Sequence, residues 1–148
     1  MKLAPQTTLA WLLSLIFIYA GIVKALAPSS FYHDIRMYQF LSDGNAWYLA
    51  HYLPWLEIVV AIGLLRMSTR GAASIIIAFL LLIFSVAIAS AWTRGLNIKC
   101  GCFGDHSGRS DYVWILIRDL VMFLVALYLL RSALVGQAKT EPFATKET

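Results

Sequence analysis

The sequence predicts an all-α integral membrane protein. It reads as a four-helix bundle with a short amphipathic interfacial helix between spans 1 and 2. Three observations carry that expectation. Of 148 residues, 60% are hydrophobic and only 14% are charged, where soluble domains run near about 25% charged. The mean hydropathy is +0.73. Four apolar runs each reach the length of about 20 residues needed to cross a bilayer, and backbone in lipid must satisfy itself by folding as helix.

The first run is "TLAWLLSLIFIYAGIVKAL", residues 8–26. Lys2, this stretch and "ALAPSS" imitate a secretory leader with an A-x-A cleavage site. The run is long for a leader, Lys24 interrupts its end, and Pro28 would follow the cut, so a retained span is expected. The segment "APSSFYHDIRMYQFLSDGNA" comes next. Phe31, Ile35, Tyr38 and Leu41 recur there at helical spacing with charges between them. A short helix on the membrane surface fits, with Ser29 or Ser30 as its cap and "SDGN" as its stop.

The second run, "WYLAHYLPWLEIVVAIGLL", covers 47–65, and the third, "AASIIIAFLLLIFSVAIASAW", covers 72–92. The tight link "RMSTRG" between them predicts an antiparallel pair. The fourth, "YVWILIRDLVMFLVALYLLR", covers 112–131. Trp47, Trp55, Trp92, Trp114, Tyr112 and Tyr128 mostly fall toward span ends, where amphipathic rings favour the interface. One domain is expected over 1–135, followed by a polar, disordered tail over 136–148.

Four spans place both termini on one side. Lys2, Arg66, Arg70, Arg131, Lys139 and Lys146 share that side, and Lys24, Arg36, Arg94, Lys99 and Arg109 share the other. The bias favours cytoplasmic termini in a bacterial inner membrane. The link between spans three and four then faces the periplasm or exterior. The net charge of +4 is scattered over short loops. That suits lipid phosphates and forms no basic, aromatic-interleaved stripe for nucleic acid.

Four ionisable residues interrupt the spans: Lys24, Glu57, Arg118 and Asp119. Each charge at mid-bilayer costs roughly 2.5–3.5 kcal/mol on insertion scales, so such groups turn inward and pair. At 1.5 Å per residue, Glu57 lies about 15 Å and Arg118 about 10 Å below the outer ends of their spans. All four therefore fall between the outer interface and the midplane. A structural ion network, with Arg118 pairing Glu57, is one reading. A network that also tunes the nearby cysteines is a second, and snorkelling of Lys24 is a third.

The two cysteines of the chain stand in "NIKCGCFGD", residues 97–105. Thiols at i, i+2 approach the Cα separation a disulfide accepts, about 4.4–6.8 Å, and Gly101 eases the bend. So small a ring is strained, and strained exposed disulfides exchange readily. Lys99, Arg94 and Arg109 in the same link favour a thiolate. A structural disulfide, a bond to a partner protein and a metal site stay open. For a metal, Cys100, Cys102 and His106 supply only three ligands of a tetrahedral shell. His33 and His51 read as interface residues.

These elements together carry a resemblance. "IYAGIVKALAP" resembles the AG-x-x-K pattern of the MauE/DoxX family of redox-associated membrane proteins. "LPWLEIVVAIGLL" resembles its second-span pattern. "RGLNIKCGCFGD" followed by "ILIRDL" is similar to the MauE-like branch. The resemblance implies a four-helix membrane bundle with a part in thiol–disulfide traffic beside a thioredoxin-like partner, maturing a disulfide-rich periplasmic protein. It implies site residues Lys24, Glu57, Arg94, Cys100, Cys102 and Arg118. Many relatives carry asparagine after the helix arginine; Asp119 here offers Arg118 a neutralising neighbour.

Membrane thiol oxidoreductases that reduce quinone commonly use two cysteine pairs, and this chain has one. A relay then needs a partner's pair or direct contact with an acceptor. Quinone is the candidate cofactor, although no sequence feature marks its site. The expected function is thiol–disulfide exchange at the external face through Cys100 and Cys102, as an oxidoreductase or its membrane accessory. The alternative is a non-catalytic subunit of a larger membrane complex.

Overall fold

The computed structural model describes residues 5–39, 41–95 and 111–138, with side chains described over 113–136 of the last segment. Five helices follow in order: α1 (Pro5–Leu26), α2 (Pro28–Met37), α3 (Asp43–Leu65), α4 (Arg70–Thr93) and α5 (Asp111–Ala138). There is no strand among the described residues. Helices α1, α3, α4 and α5 are each long and apolar enough to cross a membrane. The chain is a multi-pass, all-α membrane bundle.

The four long helices form a ring in the order α1, α3, α4, α5. Packing is most extensive within two pairs, α1 with α3 and α4 with α5. The short link did predict contact between α3 and α4, yet each packs more closely on its other neighbour. Lipid gives no hydrophobic drive for helices to associate, so close approach through small side chains decides the pairs. Ala10, Ser14, Ala20 and Gly21 of α1 are buried, as are Ala46, Ala50 and Ala61 of α3. Ser14 Oγ also donates to the Ala61 carbonyl at 2.8 Å, crossing between them. Large apolar side chains such as Leu15, Val59, Phe79 and Leu124 face outward, as a lipid solvent permits.

The interfacial helix forms as α2, with Phe31 and Ile35 buried against α3. Its start and end differ from expectation. Neither serine caps it: Ala27 holds the N-cap position and Pro28 the first turn. Proline serves there because its fixed φ is helical and its missing N–H would be unpaired anyway. The helix stops before "SDGN", at Gln39, whose φ of 56° no regular helix can propagate. Ser42 instead stands as N-cap of α3, with Asp43 in the first turn, favourable to the helix dipole.

At the opposite end, the α3–α4 link is held by its own side chains. Thr69 Oγ1 donates to the Gly63 carbonyl at 2.7 Å, and Arg70 Nε donates to the Leu64 carbonyl at 3.1 Å. They satisfy carbonyls that α3 leaves unpaired at its C-terminus. Helix α5 runs to Ala138, seven residues past the expected span end at Arg131 and three into the segment read as tail. The rest of the tail lies outside the described residues, as do Lys99, Cys100, Cys102, His106 and Arg109.

Candidate functional site

The site begins with a close crossing. A Cβ placed on Gly21 would come 2.7 Å from Ile58 Cγ1 and 2.9 Å from the Pro54 carbonyl oxygen. Only glycine lets α1 and α3 approach this closely. Lys24 lies one turn beyond Gly21, and Glu57 one turn beyond Pro54. The two helices run antiparallel, so these turns diverge along the bundle axis. Helical side chains lean toward their own N-termini, and here that leaning brings the two together. Lys24 Nζ donates to Glu57 Oε1 at 2.5 Å.

Both groups are buried, Lys24 at 4% exposure and Glu57 at 1%. This rules out snorkelling for Lys24. The ammonium also lies 5.1 Å from the Phe31 ring centre and 4.9 Å from that of Phe84, within cation–π range. The second carboxylate oxygen, Glu57 Oε2, is buried and has no hydrogen-bond partner among the described residues. An unsatisfied buried acceptor is rare and costly.

Arg118 does not pair with Glu57. Its Nε and Nη2 donate to Asp119 Oδ1 at 3.2 and 2.9 Å. The neighbouring aspartate takes up the guanidinium, as its position in place of asparagine suggested. The Asp119 side chain is buried, and Arg118 keeps 30% of its own exposed. Arg94 stands apart from both pairs. It is the exposed C-cap of α4, donating to the Tyr38 carbonyl at 3.2 Å and to Gln39 Oε1 at 3.4 Å. It ties the α4 terminus to the exit of α2, and Gly95 follows with φ 67°, the left-handed turn that commonly closes a helix.

The two ion pairs border one cavity of about 510 Å³. Helices α1 to α5 all contribute to it, mostly with apolar side chains such as Phe17, Leu53, Phe84 and Met122. Lys24, Glu57, Arg118 and Asp119 all line it, so the four ionisable residues of the spans are brought to one cavity. Asp34 of α2 lines it as well. The sequence marks Phe31 only as part of the apolar face of α2, and it singles out neither Asp34 nor Phe84. The spacing of Phe31 and Asp34 puts both on one face of α2, but nothing in that pattern shows what the face covers. His51 is elsewhere, its ring tilted against that of Trp47 and its Nδ1 2.9 Å from the Trp47 carbonyl oxygen. Among the described residues no cluster of His, Cys, Asp and Glu could hold a metal.

Fold and site together define a four-span membrane protein built around paired charges in an apolar cavity. The family described as methylamine utilisation protein MauE matches residues 2–132, and the chain belongs to that family. A methylamine utilization protein MauE of Paracoccus denitrificans is 36% identical over 117 residues, covering 78% of this chain and 62% of the relative. One of Methylophilus methylotrophus is 32% identical with the same coverage. One of Methylorubrum extorquens is 31% identical over 106 residues, covering 71% and 56%. The chain thus spans about three fifths of the length of these curated relatives. No solved structure matches.

Proposed function

We propose that this protein takes part in thiol–disulfide exchange at the external face of the bacterial inner membrane, supporting disulfide formation in a partner protein. One observation carries the reading. Both cysteines lie one residue apart in the link from Gly95 to Asp111. The helix termini flanking that link, of α4 and α5, lie at the bundle end that carries α2. The buried ion pairs and the cavity occupy the same end. The names of the relatives place them in methylamine utilisation, and a partner in such a system is the natural client.

The chemistry is a thiolate attack on a disulfide sulfur. A client thiolate attacks the Cys100–Cys102 disulfide, forming a mixed disulfide with one cysteine and freeing the other. The client's second thiol then attacks the mixed bond and expels this chain's cysteine as the leaving thiolate. Run toward client oxidation, the Cys100–Cys102 disulfide is reduced as a client dithiol is oxidised. The cytoplasmic placement of the termini belongs to the same reading.

The test uses intact cells and a membrane-impermeant maleimide that adds mass, applied with and without prior reduction by a mild dithiol. The expected result is labelling from outside only after reduction. Cys100→Ser together with Cys102→Ser should stop client oxidation while leaving membrane insertion intact. Client oxidation unchanged by that double substitution would overturn the reading and leave an accessory subunit in its place.

A further inference from the structure

We infer that the cavity between the two ion pairs is a binding site for a lipid-soluble quinone and its quinol. The argument starts from the polar end. Glu57 Oε2 is a buried acceptor in need of a donor, with no partner among the described residues. Lys24 Nζ carries three donors, one of which goes to Glu57 Oε1. A hydroxyl placed there donates to Oε2 and accepts from Lys24. A carbonyl at the same point accepts from Lys24. The head of a quinol does the first and that of a quinone the second.

Charge narrows the choice. Among the described residues the cavity lining carries two cations, Lys24 and Arg118, and three carboxylates, Glu57, Asp119 and Asp34. Each cation already has a carboxylate within hydrogen-bond distance. Among the described residues of the lining a phosphate head would find no surplus positive charge, so a neutral head suits that lining better than an anionic one. Phe31 and Phe84 flank Lys24 and offer apolar faces to a planar ring. A volume of about 510 Å³ is that of a small-molecule site.

The other end of the cavity suits an isoprenoid tail. Its wall continues into Ile16, Leu82, Ile83 and Val86, which are exposed on the apolar outer surface. A ligand enters there from lipid without crossing water.

The role as acceptor rests on the thiol–disulfide reading; the binding does not. Joining the Cys100 and Cys102 thiols in a disulfide releases two electrons and two protons. A quinone that takes up both becomes the quinol.

The test uses the full chain in lipid nanodiscs and a photoreactive azido-quinone, with the label located by mass spectrometry. Label is expected on cavity residues, displaced by decylubiquinone and not by dioleoylglycerol. Ala87→Phe narrows the cavity without touching a charge and should cut labelling about tenfold. Glu57→Gln puts a donor where the acceptor stood. It should weaken decylubiquinol about tenfold, the scale of one lost charged hydrogen bond, and leave decylubiquinone little changed. The same labelling is expected in the Cys100→Ser/Cys102→Ser chain, so failure of the thiol reading and failure of this one are separate results. Label spread evenly over the lipid-facing surface, or displaced equally by dioleoylglycerol, would overturn the inference.

Discussion

Lys24 and Glu57 meet at 2.5 Å although they stand 33 positions apart, and both are buried. Their bond is the junction between α1 and α3 at the α2 end. Removing one partner strands the other charge in an apolar interior, which costs about 3–5 kcal/mol. Lys24→Met and Glu57→Leu should each lower stability by that order. The double substitution should recover most of the loss, because a buried pair replaced by apolar groups is often neutral or better. Thermal unfolding of the detergent-solubilised chain, read as a double-mutant cycle, measures the coupling.

Gly21 should be intolerant of even one methyl group. Its Cβ would meet a backbone oxygen at 2.9 Å, and backbone cannot swing aside as a side-chain end can. Gly21→Ala is expected to cost about 1–3 kcal/mol through overpacking. Gly44→Ala is the control: nothing lies within 4 Å of its Cβ position, and its melting temperature should match the wild type or exceed it.

Much of the bundle is legible because the bilayer leaves few choices. Twenty apolar residues must be helix, and a buried Lys or Glu must find a partner. Which partner it finds is another matter. Arg118 was as good a mate for Glu57 as Lys24, given depth alone. The choice follows from the ring order, in which α1 packs on α3 and α4 on α5, and link lengths pointed instead to α3 with α4. Gly21 and Pro54 decide the crossing through a contact of atoms that no periodicity reveals. Arg94 opens the cysteine link and also caps α4, bonded to residues 55 and 56 positions away, a contact that its place in the sequence does not reveal.

The Arg118–Asp119 pair should respond asymmetrically. The Asp119 side chain is 3% exposed and Arg118 is 30% exposed. Without Asp119, the guanidinium can turn its exposed part toward the interface. Without Arg118, the carboxylate stays buried. Arg118→Leu should therefore destabilise more than Asp119→Leu, by about 1–2 kcal/mol, the order of a charged hydrogen bond. Asp119→Asn should be the mildest of the three, since an amide oxygen still accepts from Arg118. Unfolding midpoints of the three variants in one detergent give the ranking, and equal losses for both leucine variants would contradict it.

The two arginines of "RMSTRG" look alike as positive charges beside a membrane, yet they occupy unlike environments. Arg70 is 4% exposed and donates to the Leu64 carbonyl, while its own carbonyl accepts from Ser74 Oγ at 2.8 Å. It closes the C-terminus of α3 and opens α4 in one residue. Arg66 is exposed on the link. Arg70→Ala removes a charged donor from the carbonyl of the buried Leu64, so a loss of about 1.5–3 kcal/mol is expected. Arg66→Ala should fall within about 0.5 kcal/mol of wild type. Arg70→Lys tests geometry rather than charge, because an ammonium has no Nε to place on that carbonyl; it should retain only part of the stability. If both alanine variants melted together with the wild type, the α3–α4 turn would owe its form to Thr69 and to packing, and Arg70 would be a surface charge after all.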